Sequence, residues 1–410
     1  MQVQRQPGIP FILVTVFLDT LAFGFVIPIL PALVASMTPD KQSQAYWYGL
    51  LLGSFGLAQF FSAPLLGALS DHFGRRAVLL VSIFGLGLNF FVTAISPWLW
   101  LLLVSRLIGG ASGAAFTVAG AYVADVTSEE KRSRSFGLLG AMFGLGFICG
   151  PMLGGLLSHY GLRLPYFAAS GFCLLNWLYG FFVLPESLPE DRRSPINFTK
   201  ANPFAALTAL TKVQGIGSLV WVVVLTAFPQ FLLQSTWVLY TTFRFGWGPR
   251  EIGFSLFIVG IASALGQTVL LGPLLRKLGD VKTALVGLGS SLVAYILYGL
   301  ATQGWMMYAI ILANLIGFVA GPALQGIVSK AVDPRHQGIT LGSLNAISSI
   351  MSVIAPLVGA PILAAVSGLN VTDWRVGATF FVAALAQAAA IIQAFMHFRK
   401  RGLIPSQTSQ

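Results

Sequence analysis

Long apolar stretches alternate with short polar breaks from one end of the chain to the other. About twelve runs reach the roughly 20 residues that a helix needs to cross a bilayer core. They lie near 10–36, 46–70, 76–95, 98–125, 135–158, 164–184, 213–243, 251–275, 282–301, 304–330, 338–366 and 375–397. Their apolar positions do not alternate strictly, which predicts membrane helices and not a membrane barrel. The first run follows Arg5, but no small-x-small cleavage pattern comes after it, and Asp19 sits inside it. It therefore reads as a retained span and not a signal peptide.

The long polar break is LPESLPEDRRSPINFTKANP, residues 184–203. The segments on its two sides match at a constant offset of 205 positions: Gly67 with Gly272, Gly74 with Gly279, Gly137 with Gly342, Pro151 with Pro356 and Gly154 with Gly359. One offset held over so many positions marks a parallel internal repeat. The expected fold is an all-α membrane protein, with twelve transmembrane helices in two pseudo-symmetric six-helix bundles. The first bundle is expected over 1–184 and the second over 213–410, with a cytoplasmic linker at 185–212. Such a repeat suits a transporter that rocks one half against the other around a central site.

The repeat is broken at its ionisable positions. Asp71 and Arg75 answer to Arg276 and Asp280, the same pair with signs exchanged. Asp19 answers to Val224, Arg106 to Ile311 and Asp125 to Lys330. An idle charge in the membrane costs several kcal/mol, so the first half is expected to carry the ion chemistry.

Composition agrees with a lipid solvent. Hydrophobic residues make up 56% of the chain and charged ones 9%, against about 25% charged in soluble domains. The net charge of +11 would raise nucleic-acid binding, but its distribution argues otherwise. With a cytoplasmic N-terminus, eighteen basic residues, among them Arg75, Arg76, Lys131, Arg132, Arg192 and Arg193, fall on the cytoplasmic side. The other side holds Lys41, Arg163, Arg244, Arg250 and Arg375. That asymmetry places both termini in the cytoplasm, and nucleic acid is not an expected partner. Cys149 and Cys173 lie inside apolar runs, and the histidines at 72, 159, 336 and 397 are scattered. No metal spacing, nucleophile triad or phosphate loop appears, so neither an enzyme nor a cofactor or metal site is expected.

Within the apolar runs a few groups carry candidate chemistry. FLDTLAFGFVIP places Asp19 about ten residues into a helix, near the bilayer midplane. Burial favours the neutral form of a carboxylate, so Asp19 is expected to load and release a proton. Arg106, in LLLVSRLIGGASGAA, is equally deep, and a movement that changes its distance to Asp19 would change proton affinity. A static buried pair is the alternative, but such pairs are weak stabilisers. In GALSDHFGRRAVLL, Asp71 and Arg75 form a charge cluster at a helix end, with Gly74 supplying the turn. GFICGPMLGG offers Gly146, Gly150, Gly154 and Gly155 as a small-residue packing face, bent at Pro151. Gln59, Asn89, Gln234, Trp237 and Gln267, with Phe23 one turn beyond Asp19, are the candidate substrate contacts.

These segments resemble the major facilitator superfamily. GALSDHFGRRAVLL matches its loop signature, and GFICGPMLGG the fifth-span signature of its drug:proton antiporter branch. WVLYTTFRFGW (237–247), EIGFSLF (251–257) and GPALQG (321–326) are similar to the tetracycline efflux proteins. The resemblance covers nearly the whole chain. It implies a monomeric exporter in the cell's inner membrane, driven by the proton gradient through alternating access, with Asp71, Arg75 and Asp125 as a conformational latch. The chain departs from those exporters in having Asn89 where they carry an acid in the third span. It also has only serines in LVGLGSSLVAY of the ninth, and Ser263 in place of a histidine in the eighth. An uncharged or monocationic hydrophobic substrate is therefore expected. A proton-coupled symporter or facilitator of a nutrient remains the alternative reading, since one buried acid serves either direction.

Overall fold

The computed structural model describes residues 8–113, 115–195, 202, 217–331 and 337–401. Most of the linker expected at 185–212 lies outside these residues, as do the terminal tail and the side chain of Lys330. Among the described residues every regular element is helical. The spans are Ile9–Ala35, Lys41–Phe73, Arg75–Ile95, Leu99–Val126, Arg134–Tyr160, Leu164–Val183, Leu219–Phe245, Pro249–Leu300, Ala346–Val366 and Trp374–Lys400, together with a bent pair, Gly304–Ala313 and Gly317–Val328. Pro249–Leu300 runs through Gly279, whose φ of 75° is not helical, so it comprises the eighth and ninth spans. With that division the described residues cross twelve times.

The local reasons are simple. Gly74 (φ 98°) and Gly279 (φ 75°), partners in the repeat, both adopt the left-handed conformation that reverses the chain between consecutive spans. Large apolar side chains such as Val81, Phe182, Trp221 and Leu385 are more than half exposed, as expected where the neighbour is lipid.

Two compact units emerge. The first comprises Met1–Asp40, Leu50–Ala205 and Gly248–Phe257, and the second Lys41–Gly49, Ala206–Trp247 and Ile258–Gln410. Each half of the sequence thus gives a short segment to the other unit. A glycine explains one of them: Gly49 packs on Ala360 of the eleventh span, where a side chain would collide. In the first unit the first span packs on the fifth and sixth, and the third on the fourth and sixth. In the second unit the seventh span packs on the eleventh and twelfth, and the ninth on the tenth and twelfth. The internal repeat is therefore a repeat of contacts.

The glycine face of the fifth span lies along the first span. A methyl on Gly146 would come within 2.8 Å of the Thr20 side chain, and one on Gly150 within 2.7 Å of the Gly24 backbone; Gly154 meets the Phe25 carbonyl. Gly155 points elsewhere, onto Pro249 and Arg250 at the start of the eighth span, within the same compact unit.

Candidate functional site

The first span meets this glycine face through Phe17, Thr20, Leu21, Gly24 and Phe25, and it also carries Asp19. Asp19 is half-buried, and its Oδ1 is enclosed with no hydrogen-bond partner. The sixth span closes the other side: Asn176 donates its amide to the Thr15 carbonyl at 3.0 Å, and Cys173 lies close enough to feel the Asp19 charge.

Arg106 occupies a second buried polar cluster. Its Nη2 donates to Thr93 Oγ1 at 3.5 Å. That hydroxyl lies 2.9 Å from Ser105 Oγ and donates to the Asn89 carbonyl at 2.8 Å. Tyr166 of the sixth span, fully buried, is within electrostatic reach of Arg106. Cys173 and Tyr166 themselves stand two turns apart on the sixth span, about 10 Å of rise. Among the described residues no ion pair joins Asp19 and Arg106.

The candidate substrate contacts divide. Asn89 is fully buried, and both its side-chain polar atoms lack hydrogen-bond partners; its amide lies against Gly109 of the fourth span. Gln59 donates to the Gly113 carbonyl at 3.1 Å, where the first helix of the fourth span ends. Phe23 packs on Phe55 with ring centroids 5.8 Å apart. In the second unit, Gln234 is exposed. Gln267 is exposed as well, donating to Ser263 Oγ at 2.8 Å from a π-helical turn, Gly266–Leu270. Trp237 sits elsewhere, 4% exposed in an aromatic cluster with Tyr298 and Phe380. Its surroundings are those of a core residue.

The charge cluster is fully assembled. Arg75 pairs with Asp71 at 2.5 Å and with Asp125 at 3.0 Å, and donates to Ser70 Oγ at 2.6 Å. A residue that sequence reasoning passed over completes it. Glu186 lies just past the sixth span, and its Oε1 accepts the Arg75 backbone N–H at 2.9 Å while Oε2 accepts that of Arg76 at 3.1 Å. Oε1 also takes the N–H groups of Ser187 and Leu188. Ser187 Oγ reaches Asp125 at 3.1 Å, and the Ser194 N–H donates to the Asp71 carbonyl at 3.0 Å. Residues 184–194 therefore lie across this charge cluster as a strap. A carboxylate at a helix N-terminus is favourable on both hydrogen-bond and dipole grounds.

Two repeated helical units with lipid-facing exteriors, a few embedded polar groups and a charge-clamped interhelix turn are the architecture of a multi-pass membrane transporter. The chain belongs to the major facilitator superfamily, whose model matches residues 12–356 and 223–408. It is similar to the class C tetracycline resistance protein of Escherichia coli, 38% identical over 91% of this chain and 94% of that protein. The class B protein of the same species is 32% identical over 90% and 92%. Among solved structures, the human organic anion transporter MFSD10 (TETRAN) matches with a TM-score of 0.66 and 27% identity, covering 93% of this chain and all of that one. The nucleoside transporter NupG matches in fold, with a TM-score of 0.76 at 13% identity over 95% of this chain and 99% of that one.

Proposed function

We propose that this protein exports an amphipathic small molecule, drug-like or a metabolite, in exchange for protons. It works as a monomer in the inner membrane with both termini in the cytoplasm, and needs no cofactor beyond the proton gradient. The observation that carries this reading is Asp19: a carboxylate in the first span, enclosed at Oδ1 and held by no ion pair among the described residues. An embedded carboxylate without a fixed partner is a functional group by default. Proton loading and substrate loading compete for it, and Arg106 of the fourth span biases the exchange when the spans move. The tetracycline resistance relatives support the direction of transport.

Tetracycline itself fits less well as the substrate. A magnesium chelate needs oxygen ligands and a compensating negative field as it leaves water. Asn89 offers a carbonyl oxygen without charge, and Ser290 and Ser291 stand in the ninth span. We assign an uncharged or monocationic hydrophobic substrate.

The test is drug-induced proton release from purified protein in liposomes, screened over drugs, dyes and chelators. A responding compound should be driven uphill by a proton gradient in wild type and not in Asp19→Asn, with expression and insertion unchanged. Uphill transport undiminished in Asp19→Asn would remove the proton-site assignment.

A further inference from the structure

Arg106 lies on a helix whose far end is fastened from outside. The first helix of the fourth span, Leu99–Ser112, stops at Gly113, and the next begins at Ala115. Arg106, Gly109, Gly110 and Gly113 follow one another at i, i+3, i+4 and i+7 and so form one stripe along it. Two of these glycines bring neighbouring spans to within backbone distance. A methyl on Gly109 would stand 2.7 Å from the Asn89 side chain of the third span, and one on Gly110 would collide with the Phe55 carbonyl of the second. Gly85 of the third span meets Ser112 just as closely.

The second span closes the arrangement with two hydrogen bonds. Gln59 donates its amide to the Gly113 carbonyl at 3.1 Å. Ser62 donates its hydroxyl to the Gly110 carbonyl at 3.2 Å, which also takes the Gly113 N–H. The last carbonyls of a helix need donors from outside it, and hydrocarbon has none to give. Gln59 and Ser62 are three residues apart, so both reach this helix end from one face of the second span.

The second half of the chain does otherwise. Ser62 answers to Gln267, which donates to Ser263 of its own span, and Gln59 answers to Ala264. Arg106 answers to Ile311. Among the described residues the two-point clamp therefore occurs in the half that carries the embedded arginine. The arginine is also what the clamp can move. It precedes Gly110 by one turn and Gly113 by two, so any turning or sliding of this end carries the guanidinium with it. Its Nη2 reaches Thr93 Oγ1 at 3.5 Å, the long limit of a hydrogen bond, which a shift of a few tenths of an ångström makes or breaks.

We propose that Gln59 and Ser62 are positioning residues for proton exchange, acting through the break of the fourth span to set where Arg106 stands. This rests on the export reading, in which Arg106 biases proton loading of Asp19, and it gives Gln59 a task other than touching substrate.

The test needs no substrate. Dicyclohexylcarbodiimide reacts with a protonated carboxyl in an apolar setting and not with a carboxylate, and mass spectrometry of the peptide carrying Asp19 reads the extent. Labelling of the full-length protein in nanodiscs over a range of pH gives a midpoint for Asp19. Gln59→Leu and Ser62→Ala should each displace that midpoint by about half a pH unit or more, in the direction in which Arg106→Gln displaces it. Combined with Arg106→Gln, neither should displace it further, since each acts through the arginine; a residue that matters only to folding has no reason to follow that pattern. Ser62→Ala removes a single oxygen, so it tests the clamp should Gln59→Leu fail to insert. The ionisable residues carried within the membrane by helices packed on the first span are Cys149 of the fifth, Tyr166, Cys173 and Tyr179 of the sixth, and Tyr122 of the fourth. They are the same in every variant, so a difference in midpoint reports Arg106. A midpoint unmoved by either variant, displaced the opposite way, or displaced further in the double variants would overturn the assignment. So would an Arg106→Gln variant that keeps the wild-type midpoint. Failure of the export reading has a different signature: Asp19 of wild type would label to the same extent at every pH.

Discussion

Glu186 and Arg75 are 111 residues apart in sequence, yet the Glu186 carboxylate receives the backbone N–H of Arg75 at 2.9 Å and caps the helix that Arg75 begins. Arg75 meanwhile holds Asp71 and Asp125 with its side chain. One residue is thus clamped by its backbone to the segment leaving the sixth span and by its side chain to the ends of the second and fourth. Gly74 makes this possible, since a side chain there would occupy the place of the Glu186 carboxylate.

The strap makes Glu186 a member of the Arg75 charge cluster, which we propose acts as a conformational latch. Arg75→Ala and Asp71→Ala should shift the balance between inward-open and outward-open states without changing substrate affinity within either state, because a remote group acts only through its differential energy. Glu186→Ala should produce a shift in the same direction and lower stability by about 1 kcal/mol, the usual worth of a helix N-cap. Combined with Asp125→Asn, the effects should fall short of the sum, as expected for residues in one network. Spin-label distance distributions across the two halves provide the measurement, and distributions matching wild type in all three single variants would exclude the latch.

The glycines of the fifth span separate packing from mere helix composition. Gly150 lies on the Gly24 backbone, whereas a methyl on Gly144 would meet nothing within 4 Å. Gly150→Ala should therefore cost roughly 1–3 kcal/mol through overpacking, and Gly144→Ala should be neutral or slightly stabilising through helix propensity. Thermal unfolding of both variants in one detergent compares them directly. Equal losses would mean that the first and fifth spans do not depend on this contact.

How much of this was legible in the sequence depends on which force set each feature. The bilayer imposes a length on every span, and the repeat imposes an offset, so the helical architecture could be read from spacing alone. The small-residue face of GFICGPMLGG was equally legible, but not its partner, because glycines specify close approach without specifying what approaches. Trp237 was read as a pocket residue on residue type, and the sequence did not show that it packs with Tyr298 and Phe380. Glu186 was hidden for another reason. Placed in LPES, it belonged by composition to the linker, and only the folded chain brings it to an N-terminus far away in sequence. The tenth-span break was the least visible feature. LANLIG reads as uninterrupted apolar helix, and its signals were a single asparagine and a glycine.

Asn89 offers the sharpest separation of structure from function. It is fully buried, and neither its side-chain oxygen nor its nitrogen has a hydrogen-bond partner. A buried amide left in that condition is a net destabiliser, costing about 1–3 kcal/mol relative to a satisfied one, and native chains hold few of them. If those atoms serve only packing against Gly109, Asn89→Leu should affect stability and transport together. If they are reserved for the substrate or for water that accompanies the proton, removing them should raise stability or leave it unchanged while transport falls by at least tenfold. We expect the second result. The readouts are the unfolding midpoint of purified protein and the initial rate of gradient-driven efflux of whichever compound releases protons from wild type. A variant that is as active as wild type would return Asn89 to the helix core and leave Asp19 and Arg106 as the embedded groups of the first unit on which the proton-exchange reading rests.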